Sequence, residues 1–116
     1  MVDDEEDIAI VLQDRLESYG FEVSTAATGL DAIRKIFSEP FDGILMDLKL
    51  PELDGIQILE LIRKKDRNVP VIVLTAFSNH QQAVEALAKG ANDYLIKPFD
   101  VRDLKAKIQK VYNVTV

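Results

Sequence analysis

The strongest constraint on this 116-residue chain is an alternation of two kinds of segment. One kind is short and continuously apolar: FDGILMD at 41–47, NVPVIVLTA at 68–76 and NDYLIK at 92–97. Apolar runs of about four to eight residues suit strands buried on both faces of a parallel sheet. FEVSTA at 21–26 instead alternates apolar with polar residues, as a strand at a sheet edge does.

The other kind carries helical spacing. Ile8, Val11, Leu12, Leu16 and Tyr19 form one stripe, stopped by Gly20. Ala32, Ile33, Ile36 and Phe37 form a second, which ends before Pro40. Ile58, Leu59 and Ile62 mark a third, started by Asp54-Gly55, and Val84, Leu87 and Ala88 mark a fourth, stopped by Gly90. Val101, Leu104, Ile108 and Val111 mark the last, with Asp100 as its N-cap. A helix followed by four strand–helix repeats predicts an α/β fold, a doubly wound parallel sheet with helices on both faces. Such a fold normally opens with a strand. Here only Met1-Val2 precede the acids Asp3 and Asp4, reaching roughly 7 Å at about 3.3 Å per residue. The first strand is therefore read as truncated to a stub.

Composition narrows the chemistry. With no cysteine and a single histidine, His80 in a polar loop, thiolate and His-rich metal sites are excluded. A metal would have to sit on oxygen ligands, which points to a hard divalent cation. A net charge of −6 disfavours a nucleic-acid surface. No apolar run approaches the roughly 18 residues of a membrane span, and no secretion signal is visible, so the cytoplasm is the default compartment. No repeat or linker interrupts the chain, and residues 1–116 read as one domain, complete or cut from a longer protein.

In open parallel α/β sheets, ligands bind outside the carboxyl ends of the strands. At those ends stand Asp3 and Asp4, Asp47, Thr75 and Lys97. Three clustered carboxylates repel one another unless a cation such as Mg²⁺ neutralises them. A carboxylate can itself be a nucleophile that forms an aspartyl phosphate. A metal, a lysine and a hydroxyl around a phosphoryl group supply positioning and electrostatic stabilisation. Asp47 is the best nucleophile, because a buried strand aims it. Asp3 and Asp4 suit metal ligation, with the Lys49 backbone carbonyl as a further contact, and Thr75 and Lys97 suit the phosphoryl oxygens. Glu5, Glu6 and Asp7 read as the charged first turn of a helix.

The motifs VDDEEDI (2–8), LMDLKLPELDGIQIL (45–59), VIVLTA (71–76) and GANDYLIKPFD (90–100) resemble the response-regulator receiver domain of two-component signalling, a chemotaxis-Y-like, flavodoxin-like fold. The resemblance runs over nearly the whole chain. It implies a five-stranded sheet in order 2-1-3-4-5 with five helices, and phosphoryl transfer to Asp47 from the phosphohistidine of a sensor histidine kinase or phosphotransfer protein. It aligns Asp3, Asp4, Asp47 and the Lys49 carbonyl with a Mg²⁺ site that Mn²⁺ can also fill. It aligns Thr75 and Lys97 with the phosphoryl-stabilising residues, and Lys97–Pro98 with a cis peptide bond. It further implies that Thr75 couples to an aromatic residue three positions before the lysine, here Tyr94. Ala76 is small enough to leave that path open. The face of the fourth helix, fifth strand and fifth helix then changes for an output domain or partner. Lys49 and Phe77 align with positions that tune phosphoryl lifetime.

Other readings compete. A haloacid-dehalogenase-like phosphohydrolase would carry a second acid two residues past its nucleophile, where this chain has Lys49. A pseudo-receiver would lack part of the site. A flavin-binding protein would need a phosphate loop after the first strand. The truncated first strand raises the alternative of a strand-swapped homodimer, beside a dimer formed on phosphorylation, because an unpaired buried strand edge is costly.

Overall fold

The three apolar runs pair as a parallel sheet: β1 (Ile44–Asp47), β2 (Val71–Ala76) and β3 (Asp93–Lys97), in the order β1-β2-β3. The computed structural model describes residues 1, 6–50, 53–76 and 80–116. Ile44 pairs with Val71 and Asp47 with Leu74, while Ile72 pairs with Asp93 and Ala76 with Lys97. All of β1 is buried, as is β2 up to Thr75, whereas β3 alternates buried and half-buried positions. Among the described residues five helices accompany the sheet: α1 (Glu6–Ser18), α2 (Gly29–Ser38), α3 (Gly55–Lys65), α4 (His80–Ala88) and α5 (Val101–Tyr112).

Alternate strand residues feed opposite cores. Met46, Val71 and Val73 pack with Ala32, Ile36, Ile58, Leu59, Ile62 and Ala86 of α2, α3 and α4. Leu45, Ile72, Leu74 and Leu95 pack with Leu12, Leu16, Leu104 and Ile108 of α1 and α5. That is the doubly wound architecture. Among the described residues no helix is long and apolar enough to cross a membrane.

The expected strand at 21–26 is a correction, since the segment holds only an isolated bridge position at Ala26. A strand exists through its ladder of hydrogen bonds. Among the described residues, Met1 bonds this backbone twice, its amine donating to the Ser24 carbonyl and its carbonyl accepting from the Ala26 amide, each at 2.9 Å, and the Lys35 ammonium donates to the Thr25 carbonyl. Met1 also lines a small cavity of about 30 Å³ with Thr25, Ala26, Gly43 and Ile44, so it lies where the first strand was expected. Val2, the other half of the expected stub, is outside the described residues. Of the five-strand order, the described sheet holds the last three members.

Helix ends follow local chemistry. The side chains of Thr28, Asp54 and Asp100 accept the amides of Asp31, Ile56 and Asp103 at the starts of α2, α3 and α5. Gly20 and Gly90, at φ +95° and +113°, end α1 and α4. The stripe on α4 differs from its sequence reading: Val84 is 54% and Leu87 39% exposed, and the buried residues are Ala83 and Ala86. Two alanines let the helix backbone approach β2 closely, which turns the larger side chains outward. Val11, Phe37 and Val101 likewise face solvent, Phe37 beneath the Lys65 ammonium at 5.7 Å.

Two polar side chains fasten these layers. Arg63 of α3 donates to the carbonyls of Gly90 (2.7 and 2.9 Å) and Val69 (2.7 Å) and to Asn92 Oδ1 (3.0 Å), tying the entries to β2 and β3 together. Burial draws the guanidinium's pKa down, and the charge of Asp66 draws it partly back. Tyr112 of α5 donates its hydroxyl to the Ile44 carbonyl at 2.8 Å, and burial raises its pKa.

A Cβ built on Gly55 would stand 2.6 Å from Leu48 Cα, a backbone atom that cannot swing aside. Gly55→Ala should therefore cost about 1–3 kcal/mol, read as a lower urea midpoint. Asp93 is held below the usual carboxylate range: burial pushes its pKa up, but the Lys107 hydrogen bond, the Tyr94 amide and the charges of Lys107 and Lys110 outweigh it. A depressed folded-state pKa stabilises above the ordinary carboxylate value and is lost as pH falls through the folded value. The stability gap between wild type and Asp93→Asn, measured by urea unfolding, should be widest at neutral pH and close below about pH 4.

Candidate functional site

Because the strands are parallel and in register, β1, β2 and β3 end at one edge of the sheet. Asp47 pairs with Leu74, and Leu74 with Leu95, so Thr75 lies one step and Lys97 two steps beyond that row. Asp47 closes the wholly buried β1 and is itself only 5% exposed. The Lys97 ammonium reaches across to Asp47 Oδ2 at 2.5 Å, and the Lys49 amide donates to Oδ1 at 2.9 Å. A carboxylate this buried needs charge-assisted partners, and both of its oxygens have one.

Thr75 is 2% exposed at the end of β2, and its Oγ1 stands 3.4 Å from the Ala76 carbonyl. The Lys97–Pro98 peptide bond is cis. Lys49 is exposed and pairs as an isolated bridge with Asp54, the N-cap of α3. The hydrogen bond of that bridge runs from the Gly55 amide to the Leu48 carbonyl at 3.0 Å, so it uses the Leu48 oxygen rather than that of Lys49. The glycine is what lets the start of α3 lie against Leu48, directly beside Asp47.

The structure thus brings Asp47, Lys97 and the Lys49 backbone together, with Thr75 on the adjoining strand end. Asp3, Asp4 and Phe77 lie outside the described residues. Among the described residues no three acidic or histidine side chains cluster around a metal position. The donors that are described, the Asp47 carboxylate and the Lys49 carbonyl, are oxygens of the kind a hard divalent cation takes, and they fit Mg²⁺.

Tyr94, half-buried, packs against the core on the sheet face covered by α2, α3 and α4. Lys107 of α5, which the sequence reading did not single out, lies 5.4 Å from the centre of its ring and 2.8 Å from Asp93 Oδ1. The available signal was Asp93 itself, an acid opening a strand that is otherwise apolar or aromatic.

A buried carboxylate beside an ammonium, with a hydroxyl on the next strand, suits nucleophilic capture of an anionic group whose negative charge the lysine and hydroxyl then receive. Residues 1–109 match the family model described as the response regulator receiver domain. The chain is 41% identical over 111 residues to the probable transcriptional regulator ycf27 of Cyanidium caldarium, covering 96% of this chain but 44% of that protein. It thus spans less than half the length of that curated relative. Among solved structures, a response regulator receiver domain protein of Methanospirillum hungatei superposes with a TM-score of 0.91 at 35% identity, over 97% of this chain and 90% of that one. The receiver domain of the sensor histidine kinase PA1611 from Pseudomonas aeruginosa, with a magnesium ion in its active-site cleft, superposes at 0.87 with 36% identity, over 97% and 94%. This chain belongs to the response regulator receiver domain family.

Proposed function

We propose that this domain is a phosphoacceptor switch in which Asp47 takes a phosphoryl group from the phosphohistidine of a sensor histidine kinase or phosphotransfer protein. The observation that carries the reading is the 2.5 Å contact between Lys97 and Asp47 at the buried end of β1. An Asp47 carboxylate oxygen attacks phosphorus, the bond from phosphorus to the imidazole nitrogen breaks, and that nitrogen keeps the electron pair and takes up a proton. Lys97, already on Oδ2, moves its charge onto a phosphoryl oxygen, while Thr75 donates its hydroxyl to another. Water later attacks phosphorus and returns the carboxylate.

Mg²⁺, held by Asp3, Asp4, Asp47 and the Lys49 carbonyl, would neutralise charge shared between carboxylates and phosphate, and Mn²⁺ is an adequate substitute. Lys49 and Phe77 shield the acyl phosphate from water and so set its lifetime. Movement of Thr75 toward the phosphoryl group opens space for the Tyr94 ring, and the face of α4, β3 and α5 changes for an output domain or partner. This is a binding switch that assists its own labelling and hydrolysis, not a turnover enzyme. Residues 1–116 act as one receiver domain in the cytoplasm. Phosphorylation-dependent or strand-swapped dimers are further states of the same domain.

Incubation with Mg²⁺ and acetyl phosphate, followed by intact mass, tests the reading. The wild type should gain a single phosphoryl group, and Asp47→Asn should gain none. Chelation with EDTA should slow the wild-type reaction at least tenfold, as expected when a cation is needed to offset clustered carboxylates. Steady turnover of small phosphate esters would support a phosphohydrolase instead.

A further inference from the structure

Lys107 touches two consecutive residues of β3 that point to opposite faces of the sheet. Its ammonium is 2.8 Å from Asp93 Oδ1 and 5.4 Å from the centre of the Tyr94 ring. One cation can meet both because β3 is the last strand in the sheet order, and the side chain reaches over that edge from α5. The carboxylate is served twice, since the Lys110 ammonium stands 3.8 Å from its other oxygen. Asp93 is 9% exposed and the Lys107 side chain about one-third exposed, so this pair is more sheltered than a surface ion pair. Asp93 is anchored by strand pairing to Ile72, and it therefore fixes where the Lys107 charge sits.

We propose that Lys107 is a positioning residue that holds the Tyr94 ring in its present orientation and biases the domain toward the unphosphorylated state. The inference rests on the Thr75–Tyr94 switch proposed above and adds the element that opposes it. A cation is attracted to the face of an aromatic ring, and the attraction falls off once the ring leaves. When Tyr94 turns inward beside Thr75, Lys107 cannot follow, because Asp93 holds it at the sheet edge. The contact therefore exists in one state and not in the other, and only such a difference can shift a two-state equilibrium. Cation–ring contacts of this exposure correspond to a population shift of about two- to fivefold. The rate at which a small phosphodonor labels the inward, competent state should rise by the same factor when the contact is removed.

The test measures initial labelling rates of the whole chain with acetyl phosphate and Mg²⁺ by intact mass. Lys107→Met should label about two- to fivefold faster than wild type. Lys107→Arg, which keeps the cation, should label like wild type. In a Tyr94→Ala background, Lys107→Met should change nothing. An unchanged rate in Lys107→Met, or the same acceleration with and without Tyr94, would overturn the assignment. Failure of the underlying switch looks different: Tyr94→Ala and Thr75→Ala would then label like wild type, or the wild type would take up no phosphoryl group, and the proposal falls with it. A second readout uses carbon-13-labelled tyrosine. Without ligand, Lys107→Met should move the Tyr94 ring resonances part of the way toward their positions in wild type saturated with Mg²⁺ and beryllofluoride. No movement, or movement in another direction, contradicts the proposal.

Discussion

The site depends on one ion pair at the carboxyl edge of the sheet, between Lys97 and Asp47. A carboxylate only 5% exposed would be strongly disfavoured as an ion without partners, and the lysine together with the Lys49 amide provides them. Both charges arrive by strand register rather than by loop placement. Asp47 is fixed because β1 is buried along its whole length, and Lys97 because β3 pairs residue by residue with β2. A one-residue slip of β3 would turn Lys97 to the other face and leave Asp47 buried with no cation.

The rest of the fold serves that edge. Gly55 lets α3 begin against Leu48, and Asp54 caps the same helix, so the backbone beside Asp47 lies against the start of α3. Arg63 ties the turns that enter β2 and β3, which keeps the two strands carrying Thr75 and Lys97 in step. On the far side of β3, Lys107 bridges Asp93 and the Tyr94 ring. Helix α5 thereby contacts the residue proposed to report on the site.

Much of this was legible in the chain itself. Continuous apolar runs ending in Asp47, Thr75 and Lys97 gave the strands and their common edge, because a strand buried on both faces leaves few other readings. Asp54-Gly55, Gly90 and Asp100 gave helix ends, because capping is local chemistry. Sequence and structure part where the outcome is not local. FEVSTA alternates like a strand, yet pairing belongs to the neighbour, and among the described residues its backbone partner is Met1. On α4 hydrophobic spacing points the larger residues inward, but Ala83 and Ala86 pack beneath it, since distance to β2 rather than hydrophobicity decides which face fits. The Lys107 contact is not local either: no spacing rule links a lysine on one element to a ring on another.

The central claim is that the Asp47 carboxylate itself forms the acyl phosphate. Borohydride reduces an aspartyl phosphate to homoserine, which marks the modified residue permanently. Protein treated with Mg²⁺ and acetyl phosphate, then reduced, digested and sequenced by tandem mass spectrometry, should carry homoserine at position 47. Homoserine at another aspartate, with position 47 unmodified, would contradict the account.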